Sequence, residues 1–149
     1  MLTDNAQRIA AFRSTTTLPG LTAKKTITFV TATTGAVAST KIFTVTGACL
    51  VSCFATCSVD LTGTGATIEV GITGTTNLLI DTTTCTAIDA GEMVVTTTPA
   101  TSYAITDFTK KVISTDINLK VTTHTVDAGV LTIYCLFTPL TDDGNVAPV

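Results

Sequence analysis

Residues 47–60 read GACLVSCFATCSVD, and the spacing of three cysteines in this stretch decides how the rest of the chain is read. Cys49, Cys53 and Cys57 stand four apart. On an extended strand side chains alternate between faces and each residue advances about 3.3 Å, so neighbouring cysteines share a face about 13 Å apart. Zinc ligands sit about 2.3 Å from the metal, and a disulfide needs Cα atoms within about 4.4–6.8 Å, so neither can join these neighbours along one strand. A helix would also align them, but Gly47, Thr56 and the alternation oppose it. Positions 49, 51, 53, 55, 57 and 59 read Cys, Val, Cys, Ala, Cys, Val, an unbroken apolar face. The cysteines are therefore expected as small buried apolar side chains. Cys85 and Cys135 complete an odd total of five. A disulfide between Cys135 and a central-strand cysteine is the alternative, and a metal site the remaining one.

The opposite face of the same strand reads Leu50, Ser52, Phe54, Thr56, Ser58 and Asp60. A solvated face would not carry Leu50 and Phe54, with Ile42 on the preceding strand. Either the fold covers this face as well, or it packs on a partner. Ile42, Leu50 and Phe54 are accordingly candidate interface residues.

Working outward, period-2 alternation recurs along the chain. Ile27 and Phe29 share a face in KTITFVT, as do Phe43 and Val45 in KIFTVTG. Ala66, Ile68, Val70 and Ile72 share one in ATIEVGIT, against Thr67, Glu69, Gly71 and Thr73. DINLKVTTHT turns Ile117, Leu119 and Val121 inward, and VLTIYCLFT aligns Leu131, Ile133, Cys135 and Phe137. Shorter strands are expected at 77–81, 85–88, 92–97 and 102–107. Turn signals such as Gly63-Thr64-Gly65, Asp89-Ala90-Gly91 and Asp127-Ala128-Gly129 separate the runs. About a quarter of the residues are threonine, whose branched Cβ suits a pleated surface. The expected fold is all-β, an antiparallel β-sandwich or jelly roll with a short N-terminal arm. The expected divisions are an arm at 1–21, the sandwich at 22–140 and a C-terminal tail at 141–149.

Charge is sparse, at 13 % of residues, and uneven. Residues 1–41 carry Arg8, Arg13, Lys24, Lys25 and Lys41 against Asp4, five minus one or +4. Residues 42–149 carry three basic and ten acidic residues, or −7, and the two sum to the net −3. No global basic field favours nucleic acid, and none is expected as a partner. The arm offers a short helical pattern over 4–13, with Ile9 and Phe12 on one side. Arg8, Ile9, Phe12 and Arg13 are candidate contacts to an acidic neighbour.

Residues 42–59 are free of charge over a length that raises the question of a membrane span. Thr, Gly and Ser interrupt the run, and no aromatic belt or basic flank attends it, so no membrane partner is expected. An outer-membrane barrel lacks its aromatic girdles here. Residues 1–20 show no basic start followed by an apolar core of a secretory leader. The expected site of synthesis is a cytoplasm with reduced thiols.

No catalytic constellation is legible. His124 is the sole histidine and falls on a predicted outer face. TDDGN at 141–145 lacks the spaced oxygens of a calcium loop and reads as a turn. Asp89 and Glu92 read as a turn before a strand. No nucleophile elbow, zinc-protease motif or phosphate loop is present. Neither enzymatic activity nor a cofactor is expected.

The segments KIFTVTGACLV (41–51), DLTGTGATIEVGITGTTNLLI (60–80), AIDAGE (87–92) and AGVLTIYCLFTPL (128–140) resemble small virion structural proteins of tailed bacteriophages, of the capsid decoration or cement type. The resemblance spans about two thirds of the chain and leaves the N-terminal segment outside. It implies a sandwich or jelly-roll body, a symmetric homo-oligomer (often a trimer), the major capsid protein as partner, and a place on the capsid surface of the virion. It assigns no residue roles, since such proteins work through surfaces. A receptor- or carbohydrate-binding virion module of a tail or head fibre is the alternative, and would need an aromatic cluster. Tyr103, Tyr134 and Phe108 look too scattered in sequence to supply one.

Overall fold

The computed structural model describes residues 20–149. Ten strands follow one another: β1 (Leu21–Thr28), β2 (Ala38–Thr46), β3 (Cys49–Thr62), β4 (Thr67–Ile72), β5 (Thr75–Thr84), β6 (Met93–Val94), β7 (Lys111–Ile113), β8 (Ile117–Thr122), β9 (Ala128–Pro139) and β10 (Asn145–Pro148). All pairing is antiparallel. One sheet runs β1-β9-β3, with β6 and β7 both pairing the far edge of β3. The other runs β10-β2-β8-β4-β5. The fold is all-β, two antiparallel sheets stacked as a sandwich.

The β3–β9 pair is the spine of the first sheet, paired from Cys49 opposite Pro139 to Thr62 opposite Ala128 with register shifts on either side of Val59. Its inner face is the cysteine face: Cys49, Val51, Cys53, Ala55 and Cys57 are all buried. They meet Leu131, Ile133, Cys135 and Phe137 of β9, and across the gap Phe43, Ile68, Val70, Ile117, Leu119 and Val121 of the second sheet join the same cluster. Small thiols among β-branched chains let the sheets approach without a polar group needing a partner. All five cysteines are free and buried. Cys53 and Cys135 stand directly opposite. Their mutual thiol hydrogen bond, then burial, holds Cys53 well above the ordinary thiol range. Burial alone pushes Cys85 up to about 12. Cys53 and Cys85 therefore stay protonated at neutral pH.

Two glycines are dictated by close approach. Gly129 at the start of β9 has φ of 126°, and a Cβ there would lie 2.7 Å from the Asp60 carbonyl oxygen. That contact falls where the β3–β9 register shifts between Val59 and Thr62. Gly47 turns the chain from β2 into β3 with φ of 60°, leaving room for Thr141 and Asp143. Thr141 Oγ1 accepts the Ala48 N–H at 2.9 Å, which fastens the TDDGN turn to this corner.

Several expectations are corrected. Residues 145–148, within the expected tail, form β10 and pair with Phe43–Thr46 of β2. The segment 85–88 is mostly a 3-10 turn (Cys85–Ala87), and 102–107 contains another (Ile105–Asp107) instead of a strand. The 92–97 strand shrinks to Met93–Val94.

Candidate interaction surface

The outer face of the first sheet can be read row by row from its registers. Val112, Leu50 and Thr138 form one row, and Ser52, Leu136 and Thr22 the next. Phe54, Tyr134 and Lys24 follow, then Met93, Thr56, Thr132 and Thr26. The last row is polar toward the β1 edge, where Thr26 and Thr132 share a hydroxyl hydrogen bond of 2.9 Å. The first three rows carry an apolar diagonal of Val112, Leu50, Leu136, Phe54 and Tyr134.

Between β6 and β7 the chain leaves the sheet over residues 95–110 and returns across part of this face. Phe108 sets its ring edge on Phe54, with centroids 5.9 Å apart. Phe54 in turn stacks on Tyr134, its cross-strand partner, at 4.8 Å and 8°. Such aromatic contacts add about 0.5–1.5 kcal/mol each beyond the area they bury. Tyr103 holds the excursion, donating its hydroxyl to the carbonyls of Met93 at 3.2 Å and Thr98 at 2.5 Å. Burial raises this phenol above its usual range. Asp107 caps the 3-10 turn through the Ala104 N–H at 2.9 Å.

The sequence-derived candidates separate here. Phe54 lies half-buried on the outer face. Leu50 faces the same way but is buried, as is Ser52, whose hydroxyl has no hydrogen-bond partner. Ile42 does not face outward at all. A bulge between Lys41 and Phe43 breaks the alternation and turns both Ile42 and Phe43 into the core, at 1 % and 0 % exposure. A single extra residue shifts side chains to the other face, which period-2 reading cannot anticipate. Ile42 is thus withdrawn as a surface contact, and Leu50 is covered within the chain. Arg8, Ile9, Phe12 and Arg13 lie outside the described residues.

The sequence reading missed Tyr134 and Leu136 as members of the surface, and judged Tyr134 and Phe108 scattered. Their alternation with the buried residues of β9 was visible, but their distance from Phe54 depends on which strands pair. Tyr134 and Leu136 are half-buried on the β9 stripe, and Val112, on β7 across β3, is 52 % exposed.

The second sheet's outer face has a different character. Glu69 is buried at 6 % exposure. It accepts the Thr76 hydroxyl at 2.5 Å and the Thr82 hydroxyl, with Lys120 Nζ at 3.4 Å. Burial raises its pKa, but both hydroxyls and Lys120 outweigh burial and leave it below the ordinary range. This carboxylate fastens β5 where its register with β4 slips on either side of Val70. His124 is exposed beside Gly65 at a turn. No group of three or more potential metal ligands exists among the described residues, and none of their helices is long and apolar enough to cross a membrane.

Comparisons with protein-family models, curated proteins and solved structures find no match to this chain.

Proposed function

We propose that the chain is a structural, non-enzymatic subunit of a tailed-phage virion, a capsid decoration protein that cements neighbouring subunits by non-covalent contact. The observation that carries this reading is the outer face of the β1-β9-β3 sheet. An isolated sandwich presents polar residues there, whereas this one presents half-buried Phe54, Tyr134 and Leu136 on adjoining rows of β3 and β9 beside a threonine-rich rim, with exposed Val112 on β7 beyond the buried Leu50. An apolar centre with a polar border is the anatomy of a protein interface, and aromatic anchors contribute most of the binding energy in such patches. The partners on this reading are further copies of the chain, as a homotrimer, and the major capsid protein. The working place is the capsid surface, with the segment before β1 reaching over an adjacent subunit and adding affinity through local concentration in the lattice; Leu21, placed in that arm by the sequence reading, belongs to β1.

Sedimentation velocity on the full-length protein and on Leu136→Asp tests it. The expected result is a stable oligomer that the charge on β9 dissociates while the far-ultraviolet β signal is kept. A full-length monomer at tens of micromolar that also fails to pellet with phage heads would refute it.

A glycan-binding module also needs clustered aromatics, and the fold does bring Phe54, Tyr134 and Phe108 together. Sugars dock on free ring faces, however, and here Phe54 and Tyr134 stack on one another while Phe108 edges onto Phe54. A glycan-array signal abolished by Tyr134→Ala would shift the assignment to that module.

A further inference from the structure

Two of the buried thiols stand where a covalent bond can form. Along the β3–β9 ladder Cys49 lies opposite Pro139 and Cys57 opposite Leu131, whereas Cys53 lies opposite Cys135. The kind of pair they make follows from backbone hydrogen bonds elsewhere on the two strands. Cys57 donates its N–H to the Glu92 carbonyl and accepts the Gly91 N–H, both at 2.9 Å, so it turns its backbone groups away from β9. No register shift separates it from Cys53, and alternation gives Cys53 the same direction. On β9, the Gly129 carbonyl accepts the Phe29 N–H at 2.9 Å, and the register with β1 runs unbroken from Val130 to Phe137. Cys135 therefore turns its backbone groups toward β1. Both strands make Cys53 and Cys135 a non-hydrogen-bonded pair, in which opposed Cα atoms lie about 4.5 Å apart and side chains come closest. That separation falls inside the disulfide range of about 4.4–6.8 Å. The two thiols already meet as hydrogen-bond partners.

The same place is an interruption in the edge of the sheet. On the side of β3 away from β9, β7 pairs with Cys49, Leu50 and Val51, and β6 with Ala55 and Thr56; neither pairs with residues 52–54. Cys53 turns its backbone groups into this interruption, from which the 95–110 excursion departs. Both thiols are fully buried, so a bulky charged reagent is kept out. Local opening needs least disruption where strand pairing is already broken, and it admits a small neutral oxidant there.

We propose that Cys53 and Cys135 form a reversible disulfide within the folded protein, with hydrogen peroxide as oxidant, and that this bond locks the β3–β9 spine. One sulfur attacks a peroxide oxygen, giving a sulfenic acid and releasing one water. The second sulfur attacks the sulfenic sulfur, closes the S–S bond and releases a second water. The two thiols give up two electrons and two protons, and the peroxide takes up both. The second sulfur is held against the first, so closure outruns further oxidation. Thiol reductants reverse the bond by exchange. The device rests neither on the outer face of the first sheet nor on the virion reading.

The test starts from the fully reduced full-length protein, incubated folded with hydrogen peroxide, quenched, denatured and alkylated. Wild type should lose two of its five thiols, and a non-reducing peptide map should join the peptides of Cys53 and Cys135. Dithiothreitol should restore all five. The oxidised form should unfold at a urea concentration higher by roughly 1–2 M, because the bond closes a loop of about eighty residues. Cys85→Ala should still lose two thiols, whereas Cys135→Ala should lose none over the same time. Retention of all five thiols in wild type overturns the proposal. So does a map that joins any other pair, such as Cys57 with Cys85, or an unfolding midpoint that oxidation does not raise.

Discussion

Replacing Glu69 with alanine should destabilise the protein by about 2–3 kcal/mol, and the structure supplies the reasons for that size. The carboxylate is buried and accepts hydrogen bonds from Thr76 and Thr82 while facing Lys120 at 3.4 Å. A hydrogen bond to a charged group contributes about 1.5–3 kcal/mol. The three do not simply add, because Thr82 is exposed and Lys120 is 36 % exposed, so both can turn to water once the carboxylate is gone. Thr76 is half-buried and recovers less. Urea unfolding is the assay: the midpoint should fall by roughly 1–2 M with the slope unchanged. Glu69→Gln keeps an acceptor but loses the charge, and should lie between the two. The pH dependence follows from linkage. The folded carboxyl titrates below the unfolded value of 4.5. Its contribution is therefore fully present above that value and is lost as pH falls through the lower folded pKa. The stability gap between wild type and Glu69→Gln should be constant from pH 7 to 5 and narrow below pH 4.5. A Glu69→Ala variant within about 0.5 kcal/mol of wild type, where ordinary surface substitutions fall, would refute the clamp. So would a gap that stays constant down to pH 3.

Other expected outcomes test the remaining assignments. Ile42→Ala should cost about 2–5 kcal/mol in the same unfolding assay, the range for a large aliphatic chain in a packed core, whereas a surface contact would cost almost nothing. Ser52→Ala should be neutral or stabilise by up to about 1 kcal/mol, because it removes a buried hydroxyl without a partner; a clear loss would reveal a hydrogen bond at that position. Native protein should leave a thiol reagent such as dithiobisnitrobenzoate unconsumed at pH 8, and all five cysteines should react in denaturant. Tyr103→Phe should loosen the 95–110 excursion, read as faster amide exchange at Met93 and Ala100, which pair across its base.

Much of the fold was legible because its code is local. Alternation in β1, β4, β8 and β9 named the inner faces correctly, and Ile68, Val70, Ile117, Leu119, Val121, Ile133 and Cys135 are all in the core. The four-residue cysteine spacing was enough to place Cys49, Cys53 and Cys57 on one buried face, since the strand repeat alone sets their separation. Alternation failed where the backbone departs from period 2. The bulge at Ile42 carried that residue inward; Glu69 keeps the outward face that alternation gave it, and its burial under Thr76, Thr82 and Lys120 depends on how β5 and β8 pair with β4.

The surface offered for function depended still more on distant pairing. β9 lies between β1 and β3, which brings Tyr134 against Phe54 although the two are eighty residues apart in the chain. The excursion between β6 and β7 lays Phe108 on Phe54 at one end of the patch. Val149, just past β10, donates its N–H to the Ile42 carbonyl and accepts from Lys25 at the same edge. The sequence by itself determined that this chain would form two-faced strands with a cysteine-lined core, because side-chain direction repeats with the backbone. Which outer faces are covered, which residues meet on them and where the sandwich stays open were decided only by tertiary structure, because strand order and loop return are settled by the packing of the whole chain.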